Sequence, residues 1–123
     1  MYIYVDQSNR LKAHSETQLD KSLFPFDVTE HQVEDATIDY NRIYKFENNT
    51  LAIDEATEAL AIESILKAVR WNRDQKLIET DWTQGADVPE SIKAPHAVYR
   101  QVLRDLPATV TSWKDEVVFP EKP

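Results

Sequence analysis

The chain has 123 residues, with 22 acidic against 14 basic side chains for a formal charge of −8, one glycine and no cysteine. This length points to one domain or two small lobes, with a core that needs neither disulfides nor thiolate metal sites. The missing thiols fit a reducing compartment, the charge argues against phosphate backbones and anionic membranes as partners, and a lone Gly85 leaves no phosphate-cradling loop or dinucleotide fingerprint.

Residues 2–6 alternate aromatic and β-branched side chains and predict a strand. The turn cluster Asp6-Gln7-Ser8-Asn9 lets residues 10–14 return as a second strand, a first hairpin. Ser15 and Gln18 have capping-box spacing for a short helix through Lys21, which Phe24-Pro25-Phe26 breaks. Residues 29–39 are acidic and weakly patterned, and predict a loop or helical turn. Residues 42–46 alternate again. Glu47-Asn48-Asn49-Thr50 is a turn and residues 51–53 return, a second hairpin. Together the hairpins predict one small antiparallel sheet of three or four strands.

The period then changes from two to about 3.6. Asp54 can cap a helix over about residues 54–79, with Glu55 and Glu58 at its positive end. Ala59, Ile62, Ile65, Leu66 and Val69 share its apolar face, and Arg70, Trp71 and Arg73 form an aromatic and basic cluster in its second half. A connector over residues 80–87 follows. Pro95 suits the first turn of a further helix, on which Tyr99, Val102, Leu103 and Leu106 make an amphipathic stripe, Arg100 and Arg104 lie on another, exposed face, and Pro107 is the stop. The tail, residues 117–123, is expected to lie along the surface or stay loose. The fold class is therefore α+β: a small N-terminal antiparallel sheet of hairpins, a long helix and a C-terminal helical pair, divided as residues 1–53 and 54–123.

Little in the chain points to chemistry. His14, His31 and His96 have no partner at metal-ligand spacing, and no serine sits in a nucleophile-elbow setting. Asp81 beside Trp82, with His96, is the one candidate for a small hydrolase. Arg70, Trp71, Arg73, Tyr99, Arg100 and Arg104 are diluted by Asp74, Asp81, Asp87 and Asp105, which favours a salt-bridge layer between helices over nucleic-acid binding. No signal peptide, membrane span, metal or cofactor is expected.

The C-terminal half carries an ordered motif set. Arg73-Asp74 and Leu77 precede Thr80-Asp81-Trp82-Thr83-Gln84 and Asp87-Val88-Pro89. Tyr99-Arg100-Gln101, Leu103-Arg104-Asp105-Leu106-Pro107 and Phe119-Pro120 follow. Over residues 70–123 this resembles the C-terminal domain of tailed-bacteriophage tail assembly chaperones, including tail fibre assembly proteins. The family commonly has Trp-Pro where this chain has Phe119-Pro120. The resemblance implies a non-enzymatic helper in the host bacterial cytoplasm that assists folding, trimerisation or attachment of a phage tail fibre or tail protein. The alternative is a permanent adaptor or cap in the virion tail, strapped on by the proline-containing tail. In the residues themselves, Trp82 is expected to pin the connector against the hydrophobic seam, Leu77 to face Leu103, and Arg100 or Arg104 to pair with Asp81 or Asp105. Candidate partner-binding residues are Tyr2, Tyr4, Tyr44, Phe46, Trp82, Tyr99, Arg100 and Arg104, chosen because tyrosine, tryptophan and arginine concentrate at interface hot spots. The N-terminal strands are the expected place for client binding by strand addition.

Overall fold

The computed structural model describes residues 1–123. The chain is α+β. Five strands lead into two long helices: β1 (Tyr2–Val5), β2 (Leu11–Ser15), β3 (Thr29–Gln32), β4 (Tyr44–Glu47), β5 (Thr50–Ile53), α1 (Glu55–Thr80) and α2 (Glu90–Asp105). It divides into two compact units, Met1–Glu58 and Ala59–Pro123, and the boundary falls inside the first turn of α1.

In the first unit the strands form two sheets rather than one: an antiparallel β2-β1-β3 sheet and a separate β4-β5 hairpin. The central strand is β1, and Ile3, Tyr4 and Val5 are all fully buried, so both of its faces are covered. Tyr4 stacks on Phe24 with ring centroids 5.2 Å apart, and its hydroxyl accepts from the Leu19 N–H at 2.6 Å. On the opposite face Ile3 stands beside His31 of β3, whose ring stacks on Phe46 of β4 at 3.8 Å. The hairpin therefore folds over the sheet through Phe46, and the Phe46 N–H donates to the Asn9 carbonyl at 2.8 Å. Asn48 and Asn49 have φ of 51° and 60°, which makes the two-residue turn between Glu47 and Thr50 that matches strand twist.

Two expectations change here. Residues 29–32 are a strand, not a loop: β3 pairs with β1 from Tyr2↔Gln32 to Val5↔Thr29. Thr-Glu-His-Gln has no apolar alternation to reveal an edge strand, and its order comes from β1's backbone. The helix expected after Ser15 is instead a single 3-10 turn, Lys21–Leu23, capped by Asp20, whose carboxylate accepts from the Ser22 N–H at 2.9 Å. Ser15 Oγ accepts from the Thr17 N–H at 3.2 Å, a local turn that competes with helix.

Asp54 caps α1 as its position predicts, accepting from the Thr57 N–H at 3.1 Å and the Thr57 hydroxyl at 2.7 Å. Glu58 does more than favour the helix dipole. It is buried and takes Arg42 Nε at 2.8 Å, Arg42 Nη2 at 3.0 Å and the Ile43 N–H at 2.9 Å, which ties α1's first turn to the residues just before β4. The Arg42 guanidinium, helped by the Ile43 N–H, outweighs burial and holds the Glu58 carboxyl below its usual range.

The core of the second unit is Val69 of α1 with Tyr99, Leu103, Leu106 and Val110, flanked by Ile62, Ile65, Leu66 and Leu77. The helix α2 begins at Glu90, with Pro89 as its N-cap, so Pro95 sits inside it rather than in its first turn. Val102 is partly exposed because the inward face runs Tyr99-Arg100-Leu103-Leu106, one residue round from the expected stripe. The tail is packed: Val117 and Phe119 lie against the core, and Lys122 pairs with Glu79 at 2.6 Å. No helix is long and apolar enough to cross a membrane.

Candidate functional site

The densest polar cluster lies where α1 ends and α2 runs past it. A helix's last carbonyls have no intrahelical donor, and they attract cations through the helix dipole. Arg100 of α2 supplies both needs. Its Nη1 donates to the Leu77 carbonyl at 2.6 Å and to Thr80 Oγ1 at 3.0 Å, and its Nη2 donates to Asp81 at 2.8 Å. Thr80 Oγ1 donates onward to the Lys76 carbonyl at 2.8 Å.

The connector from α1 opens with a 3-10 helix, Asp81–Gln84. Thr83, fully buried, donates to the Thr80 carbonyl at 2.6 Å. Gln84 Nε2 donates to Thr83 Oγ1 at 3.0 Å and to the Lys93 carbonyl at 3.3 Å. Thr80, Asp81 and Gln84 of the connector are thus joined to Arg100 and the Lys93 carbonyl of α2 in one hydrogen-bonded clamp, with the Leu77 carbonyl at the end of α1. The clamp holds the end of α1 and the connector against α2.

The clamp corrects two sequence expectations. Arg100 is not on an exposed face: it is 7% exposed, because guanidinium donors are needed at the end of α1. Trp82 does not pin the connector against the seam. It is 62% exposed, with its ring 6.3 Å from His96, because Thr80 and Thr83 occupy the inward side of the turn. The expected pairing of Arg100 with Asp81 is present, and Leu77 and Leu103 both pack in the core.

The other nominated residues fall into distinct settings. Tyr4 and Tyr99 are buried. Tyr2 is half-buried on β1. Tyr44 is also half-buried, and its hydroxyl accepts from the Asp39 N–H at 3.0 Å. Phe46 is engaged with His31, and Arg104 is exposed. Sequence reasoning nominated none of Leu60, Ile78 or Val98, yet each is about two-thirds exposed, as is Trp71. Their spacing on the helices held that signal: they lie away from the apolar stripe that fills the core.

Asp81 pairs with Arg100 at 2.8 Å, and His96 Nδ1 lies 2.8 Å from the Ile92 carbonyl. No group of three or more His, Asp or Glu side chains could hold a metal ion. In the first unit an open groove of about 500 Å³ is lined by Ser8, Asn9, His31 and Lys45 with the β4-β5 turn.

Charge is divided unevenly. Residues 1–58 carry five basic and twelve acidic side chains, net −7, and residues 59–123 carry nine and ten, net −1.

Residues 66–123 match the family model of the phage tail assembly chaperone protein, from the middle of α1 through the clamp and α2 to the packed tail. No curated protein and no solved structure matches the chain. The match is to the family that the C-terminal motifs resemble, and it supports a tail assembly chaperone role.

Proposed function

Proceeding from a C-terminal segment of the phage tail assembly chaperone family, we propose that this protein is a non-enzymatic chaperone that binds a tail fibre or tail protein in the host cytoplasm and assists its folding, trimerisation or attachment. The match over residues 66–123 carries the reading. The clamp supports it, since Arg100, Thr80 and Thr83 of the family-like motifs are buried in helix packing.

The client-binding part is assigned to the N-terminal unit. Its strands β3 and β5 are edge strands, which offer backbone donors and acceptors to an incoming strand. Its net charge of −7 favours a client surface rich in lysine and arginine and speeds their encounter at low salt.

The test is co-expression with the tail and tail fibre genes of the same phage, followed by co-purification. Soluble, trimeric client that appears only with this protein, and purified particles that lack it, are the expected results. Fixed stoichiometry in purified particles would replace this reading with the permanent adaptor. No effect on client yield and no co-purification would reject both.

A further inference from the structure

We infer that the second unit associates with a second copy of itself through an antiparallel pairing of α1 helices centred on Trp71. Leu60, Trp71 and Ile78 are 66%, 64% and 65% exposed. They are eleven and seven residues apart, close to three and two whole turns, so they form one stripe along α1. Trp82, 62% exposed, continues it one turn beyond Ile78. Large apolar side chains aligned on the solvent side of a helix mark an interaction face rather than scattered surface residues.

What covers the stripe follows from the charges set into it. Lys67 lies one turn before Trp71, and Asp74 about one turn after it. In a two-fold contact each residue meets its mirror position on the other copy. Antiparallel pairing about Trp71 brings Lys67 of each copy close to Asp74 of the other, with Leu60 of each against Trp82 and Ile78 of each against Ser64 of the other. Parallel pairing would instead set lysine on lysine and aspartate on aspartate. The stripe is therefore self-complementary in one orientation and self-repelling in the other. Asp74 keeps its own-chain contact to Arg73 through Oδ1, at 2.9 Å.

Two further observations favour a second copy. The second unit has a net charge of only −1, so long-range repulsion between copies is small there. The N-terminal unit, net −7, is joined to the N-terminal end of α1, and antiparallel helices carry the two acidic units to opposite ends.

Sedimentation equilibrium of the full chain over a concentration series is the test. A monomer–dimer equilibrium is expected. Lys67→Glu or Asp74→Lys alone should weaken it about tenfold, since each places two like-charge contacts in the dimer. The double variant should restore it, and circular dichroism should be the same for all. Because the chain has no cysteine, orientation can be read by oxidising a mixture of Ser64→Cys and Ile78→Cys chains. Antiparallel pairing gives the mixed disulfide, and parallel pairing gives each variant linked to itself. A monomer at every concentration, a dimer indifferent to Lys67→Glu, or self-linked Ile78→Cys would each overturn the inference. So would a client complex that consumes the stripe, seen as a one-to-one assembly lost on Trp71→Ser.

Discussion

Arg100 shows how one buried cation can explain a sequence motif. It donates to a helix-terminal carbonyl, a threonine hydroxyl and a carboxylate at once. Arg100→Ala would leave the Leu77 carbonyl and Thr80 hydroxyl short of a donor, so we expect a loss of roughly 2–4 kcal/mol in urea denaturation. Arg104→Ala, one turn on and exposed, should change stability by less than about 0.5 kcal/mol. In the first unit Glu58 makes a pH-dependent contribution. Its pKa is lowered in the folded state, chiefly by Arg42, so the stabilisation is complete above the ordinary glutamate value near 4.3 and is lost as pH falls through the lowered one. The urea midpoint should therefore drop as pH falls below about 4.3, and Glu58→Gln should flatten that dependence.

Among the elements, α1 was legible and β3 was not. The 3.6-residue period, Asp54 and the following glutamates mark α1 from local information, because capping and amphipathicity act within a few residues. The polar strand β3 exists through pairing with β1, more than twenty residues away. Proline usually opens a helix, whereas Pro95 is the sixth residue of α2 and denies the Ser91 carbonyl an intrahelical N–H, so the start of α2 lies five residues before the position proline suggests. Pro95→Ala should thus raise the melting temperature, with a gain between about 1 and 3 kcal/mol.

At the scale of the whole molecule, two compact units share one chain. The core of Val69, Tyr99, Leu103, Leu106 and Val110 is built entirely from residues of the second unit. A fragment spanning 54–123, which keeps the Asp54 cap, should therefore fold alone and give a single cooperative thermal transition by circular dichroism. Loss of that transition would mean that the N-terminal unit is needed to complete it. The acidic N-terminal unit and the nearly neutral helical unit also separate the proposed roles, client capture by one and self-association by the other.

The residues by themselves determined the α+β class, the two hairpins, the long capped helix and the ordered C-terminal motifs that resemble tail assembly chaperones. These rest on local periodicity, turn chemistry and short-range spacing. Only the tertiary structure decided which side chains of those motifs face inward. Arg100 and Thr83 are buried because the end of α1 needs donors and because the connector turns their side inward. Trp82 is left in solvent by the same turn. Burial depends on what the rest of the chain brings alongside, and spacing within a single element does not contain that.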